Sequence, residues 1–315
     1  MKQNRIESQD NKTADLGGIM AALVTPFTND GAVDRESIAP LVDFVLEGGV
    51  TGVIPCGSTG EFAALTMDER MEVVEAVAKT AQGRAALIPH VGALRPSDAA
   101  ELMSHAASQG AAAAMAVPPF YDPLTWVEVI AYYEALSAAA PDVPIMAYHY
   151  PSATGGRITI EQIDELTRAV PAVRYLKDSS GDAQLVDELL AQAGDGLTVF
   201  NGSDSLTFQG LTCGASGSVW GAASFMPRLA VEFFKAVHDH LDLERGRQMW
   251  RKIRPICRLL EEAGYAAAVK AACELVGLQV GPTRAPLRPI APEARRQLQH
   301  LLDEAGLNDK AGAVS

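Results

Sequence analysis

Lys177 closes the short apolar run Val173-Arg174-Tyr175-Leu176-Lys177 and is followed at once by Asp178-Ser179-Ser180-Gly181. The pattern reads as a buried strand that ends in a turn. An amine at the end of a strand, ringed by apolar neighbours, can be held uncharged and attack a carbonyl carbon, so Schiff-base chemistry is the first expectation. The usual fate of a lysine is a surface salt bridge. Its position directly after Tyr175-Leu176 argues against that here.

Three other stretches carry residue types that such chemistry uses. Gly57-Ser58-Thr59-Gly60-Glu61 places two hydroxyls between glycines, ahead of a helical segment. Such a turn presents N–H groups and hydroxyls to an anion such as a carboxylate, although an ordinary strand-to-helix turn with a helix cap would look the same. Tyr148-His149-Tyr150-Pro151 ends another apolar run. Tyr148 can pass protons if its hydroxyl is bonded to Ser58 or Thr59. Tyr150 shares its side of the strand unless the proline turn redirects it, or else serves only as a packing aromatic. Pro118-Pro119-Phe120-Tyr121-Asp122-Pro123 fixes an aromatic pair between prolines, which suits an interface or the wall of a site.

These residues need a scaffold that brings strand ends together. From Gly18 onward, apolar runs near 19–27, 52–57, 85–92, 112–120, 144–151, 173–178, 197–202 and 217–221 alternate with amphipathic stretches. The helical stretches include 37–46, 67–81, 96–108, 125–138 and 160–170, several opened by a capping residue: Thr66, Ser97 and Thr159. Eight such units predict an α/β fold, a (β/α)8 TIM barrel, whose working residues sit at the carboxyl ends of the strands. A doubly wound open sheet is the competing architecture, but Thr25-Pro26-Phe27-Thr28 is no glycine-rich dinucleotide turn. After about His240 the alternation stops, and 243–263 and 266–276 read as helices, with Pro282, Pro286, Pro289 and Pro292 marking an irregular connection to a last helix. The expected organisation is a flexible segment over 1–15, a catalytic barrel over 16–240, and a C-terminal helical appendage over 241–315 with a loose tail from about Asn308.

Composition narrows the class of function. The chain has 315 residues, 48% hydrophobic and 21% charged, enough for a substantial core. Its formal charge of -13 opposes binding to nucleic acid or an anionic membrane. No signal-type or membrane-length apolar run is present, so a cytoplasmic protein is expected. Cys56, Cys213, Cys257 and Cys273 show neither a disulfide framework nor zinc-ligand spacing. Cys56 reads as a small buried filler rather than a reactive thiol.

Together the motifs resemble the pyruvate-dependent class I aldolase family that contains N-acetylneuraminate lyase and dihydrodipicolinate synthase. The matching stretches are 19–27, Gly57-Ser58-Thr59-Gly60-Glu61, His90-Val91-Gly92, Pro119-Phe120-Tyr121, Tyr148-His149-Tyr150-Pro151, Leu176-Lys177 through Asp182, and Asn201-Gly202-Ser203-Asp204. The resemblance implies that Lys177 forms an imine with the keto group of pyruvate or another 2-oxo acid. It implies that Ser58 and Thr59 hold the carboxylate, that Tyr148 is the proton shuttle with Ser58 in its relay, and that Tyr121 crosses from a neighbouring subunit of a homo-oligomer, a dimer or a tetramer. No cofactor or metal is required, because the protonated imine is itself the electron sink.

Two departures bear on the substrate. Synthases of the family that use aspartate semialdehyde carry an arginine where this chain has Ala153, and Arg157 is four residues displaced. Sialic acid lyases carry an Asp-Glu pair where this chain has Asp204-Ser205. The expectation is a lyase that splits a hydroxylated 2-oxo acid, such as a 2-keto-3-deoxy sugar acid or a sialic-acid-like compound, to pyruvate and an aldehyde. Ser179, Asp204, Ser205 and Ser218 are candidate hydroxyl readers, with Gly57, Thr59 and Val219 as further substrate contacts. A 2-keto-3-deoxy acid dehydratase, a dihydrodipicolinate synthase and a non-catalytic 2-oxo acid sensor are the alternatives. His149 stands where relatives usually have asparagine, and the sequence offers no reason for it.

Overall fold

The computed structural model describes residues 16–192 and 196–307. The segment 1–15 and the tail from Asn308, expected to be loose, lie outside the described residues. Among the described residues, eight strands form: β1 (Gly18–Ala22), β2 (Gly52–Ile54), β3 (Ala86–Leu87), β4 (Ala114–Ala116), β5 (Ile145–His149), β6 (Val173–Asp178), β7 (Thr198–Asn201) and β8 (Gly217–Trp220). They pair in parallel in the order β3-β2-β1-β8-β7-β6-β5-β4. The sheet curls round, and the β3 and β4 segments meet through Ala112 N–H to Leu87 O at 2.9 Å, Met115 N–H to Pro89 O at 2.9 Å and Val91 N–H to Met115 O at 2.7 Å. The architecture is the expected (β/α)8 barrel, with helices between the strands.

Each strand falls on its expected apolar run, β1 starting one residue ahead of it at Gly18, yet most are shorter than the run. Prolines explain much of the difference, because Pro26, Pro55, Pro89, Pro118 and Pro151 follow β1 to β5 and have no N–H to give a ladder. Side chains alternate as the pleat requires. Met20, Ile54, Met115, Met146, Tyr148, Tyr175, Phe200 and Val219 fill the barrel interior. Ala114, Ile145, Ala147, Leu176 and Val199 face the other way, onto the surrounding helices.

Helix Met67–Ala81 opens with a capping box in which Thr66 and Glu69 exchange bonds, and Thr159 with Gln162 does the same for helix Ile160–Ala169. Ser97 is not a cap. That helix begins at Pro96, whose fixed φ and missing N–H suit the first helical position, so Arg95 takes the cap position and Ser97 falls inside the first turn. The C-terminal helices Leu243–Glu262, Tyr265–Leu275 and Pro292–Ala305 bury Ile253, Ile256, Cys257, Val269 and Leu302 in one cluster with Ile19, Ala21, Val42 and Trp220 of the barrel. Among the described residues, no helix is long and apolar enough to cross a membrane.

The β1–β8 seam depends on two facing glycines, Gly18 and Gly217, which are register partners. A Cβ at position 217 would collide with the Gly18 carbonyl, and backbone cannot move aside as a flexible side chain can. Gly217→Ala should therefore lower unfolding free energy by about 1–3 kcal/mol or more. An unchanged urea midpoint would show that the seam has slack.

Candidate active site

Lys177 occupies the last inward position of β6. It is the Cα partner of Tyr148 on β5 and of Phe200 on β7, so the three side chains project to the same side of adjacent strands. Tyr175 lies two residues below and fills the barrel interior, leaving Lys177 to reach the mouth. The lysine is only 5% exposed, and its Nζ lies 4.0 Å from the centre of the Tyr148 ring. Tyr148 stacks on Tyr150 with ring centres 5.6 Å apart, and the centre of the His90 ring lies 6.5 Å from that of Tyr148 with the two planes nearly perpendicular. Gly202 makes room for the lysine: a Cβ there would lie 2.7 Å from Lys177 Cε and 2.8 Å from its Cγ.

These residues open into a cavity of about 380 Å3 at the carboxyl ends of the strands. Ser58 and Thr59 line its near side, where β2 has ended and the chain turns before Phe62. The Ser58 and Thr59 amides find no acceptor among the described residues. Unsatisfied N–H groups at the rim of a cavity are suited to hold a carboxylate. Tyr150 also lines the cavity, and burial pushes its phenol up, with Tyr148 adding to the effect.

The far side is acidic. Asp204 is buried and accepts the Tyr265 hydroxyl at 2.6 Å. Burial pushes its carboxyl up to about 7, against the opposing pull of the Tyr265 hydroxyl and the Lys177 charge. Glu261 lines the same wall and takes the Ser205 N–H at 3.0 Å. Ser179 closes the floor with its hydroxyl on Gly202 O at 2.7 Å, and Val219 supplies an apolar patch. Lys177 is the only basic side chain among the described residues that line the cavity. Tyr265 and Glu261 come from the C-terminal helices, where no pattern in the sequence marked them. A search confined to strand ends would miss both.

Other candidates lie off the cavity. Gly57 is buried in the turn with its carbonyl on the Phe62 amide, and Ser205 offers the lining residue Glu261 a backbone N–H rather than standing at the wall itself. Ser218 is withdrawn as a hydroxyl reader: it alternates with inward-facing Val219, so it points outward and bonds Asn201 at 3.1 and 3.2 Å. Tyr121 is 83% exposed on the loop after β4 and does not line the cavity of its own chain. Arg157 pairs with Asp182 at 2.5 Å, also away from the cavity.

His149 acquires a role. It faces outward beside its register partner Asp178, with Nδ1 2.6 Å from Oδ1, while Nε2 takes the Ile158 N–H at 3.2 Å. An Nε2 that accepts must leave the proton on Nδ1, so the tautomer is fixed. Asp178 also accepts the Ser180 hydroxyl at 2.8 Å. This buried network braces β5 and β6 directly behind Tyr148 and Lys177. Cys56 is buried and its thiol is pushed up to about 12 by burial, which makes it the inert filler expected.

The family model of the dihydrodipicolinate synthetase family matches residues 15–305. An uncharacterised DapA-like lyase of Halobacterium salinarum is 36% identical over 292 residues, covering 93% of this chain and 95% of that protein. An N-acetylneuraminate lyase of Rhizobium meliloti is 34% identical over 278 residues, covering 87% and 90%. The crystal structure of dihydrodipicolinate synthase from Aquifex aeolicus superposes with a TM-score of 0.88 at 29% identity, covering 93% of this chain and 99% of that one. With the barrel, the lysine and the turn already in place, the match along nearly the whole length is decisive: the chain belongs to the dihydrodipicolinate synthetase family.

Proposed function

We propose that the protein is a lysine Schiff-base lyase that reversibly splits a hydroxylated 2-oxo acid, of the 2-keto-3-deoxy sugar acid or sialic-acid-like kind, to pyruvate and an aldehyde. The observation that carries the reading is the polarity of the cavity, which has free amides and one amine at one end and two carboxylates at the other.

In this reading, the substrate carboxylate rests on the Ser58 and Thr59 amides, and Lys177 Nζ attacks the adjacent keto carbon with loss of water. The protonated imine accepts the electron pair of the C3–C4 bond as that bond breaks. Tyr148, against the Lys177 amine, gives its phenolic proton to the hydroxyl that leaves as water when the imine forms, and as the phenolate takes the proton of the C4 hydroxyl as the aldehyde forms. The resulting enamine is protonated at C3 and hydrolysed to pyruvate. Ser179, Asp204 and Glu261 accept hydrogen bonds from hydroxyls of the departing aldehyde. A synthase acting on a carboxylated aldehyde fits less well, since the far wall has no cation and Ala153 offers none. An exposed Tyr121 suits a residue that completes the relay of a neighbouring subunit in a homo-oligomer.

A panel of 2-keto-3-deoxy acids, sialic acid and pyruvate with aspartate semialdehyde, followed by pyruvate release or consumption, tests the substrate class. Turnover confined to aspartate semialdehyde would overturn it. With the best substrate, Tyr148→Phe should lower turnover by about 10²- to 10⁴-fold, the range for loss of a positioned acid–base group. Normal turnover would make the phenol dispensable. Asp204 becomes a better acceptor as it ionises, so the half-saturating concentration of hydroxylated substrate should fall as pH rises through about 7. Asp204→Asn should flatten that profile, and an unaltered inflection would assign it elsewhere.

A further inference from the structure

The turn that faces the cavity with free amides is flanked by two non-glycine residues in the left-handed region, Cys56 and Glu61, each at φ 57°. Such residues persist only where the surroundings over-determine them. On the barrel side, the Thr25 hydroxyl holds Gly60 O at 2.7 Å, and His90 Nδ1 lies 3.0 Å from Cys56 O. Buried Arg70 in turn donates to His90 O at 2.7 Å and Gly92 O at 3.0 Å.

The other side is held from more than two hundred residues away in the chain. Glu61 is buried, and its Oε2 takes the Arg284 N–H at 2.9 Å. Its Oε1 is 2.8 Å from Lys270 Nζ, an ion pair whose angle falls short of a hydrogen bond. Lys270 also donates to Pro282 O at 2.8 Å and lies 4.1 Å from the centre of the Phe27 ring. The Arg284 guanidinium forks onto Glu69 at 2.7 and 2.8 Å and donates to Ala64 O at 2.7 Å and to Gly31 O. Two cations of the C-terminal region thus meet two carboxylates that bracket the end of the turn and the start of the next helix. A buried ion pair is a weak stability device compared with apolar packing, but its direction is fixed.

We propose that Lys270 and Arg284 are positioning residues: the Lys270 ammonium and the Arg284 backbone N–H grip the Glu61 carboxylate, while the Arg284 guanidinium anchors that segment on Glu69, and together they keep residue 61 left-handed and aim the Ser58 and Thr59 amides at the carboxylate of pyruvate. The inference rests on the pyruvate reading above. It gives the C-terminal helices a part in substrate binding at the near end of the cavity as well as at its far wall.

The test compares wild type, Lys270→Met and the double variant Glu61→Gln/Lys270→Met, the last removing both buried charges in case the single variant does not fold. Thermal melts establish folding, and the rate of inactivation by borohydride is followed against pyruvate concentration. Folded variants should need about tenfold more pyruvate for half-maximal inactivation while the limiting rate changes little, the signature of lost binding rather than lost chemistry. Unchanged half-saturation in a folded variant would overturn the proposal, as would failure of both variants to fold, which would make the pair a determinant of the fold alone. Failure of the imine reading looks different, because wild type itself would then resist inactivation at every pyruvate concentration.

Discussion

The structure depends on one register. β5 and β6 pair so that Tyr148 stands beside Lys177, and β7 sets Phe200 on the far side of the lysine. A shift of one residue in β6 would turn Lys177 outward and bring Leu176 or Asp178 to the mouth. Several features hold the register. Tyr175 is locked in the barrel interior, Leu176 in the helix layer, and the outward pair His149–Asp178 is hydrogen-bonded at both ends of the imidazole. An apolar interior below and a polar brace behind leave the amine one direction to go, toward the cavity.

Once the amine is placed, the rest of the site follows from what surrounds it. The turn after β2 contributes free amides to the near end, and the C-terminal helices contribute Glu261 and Tyr265 to the far end. The same helices send Lys270, and the segment after them Arg284, to the back of the turn. The barrel alone would therefore present the amine with neither the acidic far wall nor the contacts behind the turn after β2. That accounts physically for a C-terminal region that shares its hydrophobic cluster with β1 instead of building one of its own.

Much of this was legible in the sequence because the strands are short apolar runs punctuated by glycine and proline. Those signals located all eight strands and placed Lys177, Tyr148 and the Ser58-Thr59 turn at strand ends. Extents were less legible, since composition does not show where a ladder loses its donors, and Ser97 looked like a cap although the helix read from the sequence already began at Pro96, which puts Ser97 inside the first turn. Ser218 was misplaced for want of a parity count against Val219. His149, Glu261, Tyr265, Lys270 and Arg284 act through partners distant in sequence, between 9 and 253 residues away in the bonds described. Nothing in the local pattern around any of them reports such a partner.

The most direct test of the central claim is the position of the covalent adduct formed when the protein is treated with pyruvate and borohydride. Peptide mass mapping should find the reduced pyruvyl group on Lys177 and nowhere else, and the modified protein should be inactive. An unmodified Lys177, or an adduct on Lys270 with Lys177 untouched, would contradict the account.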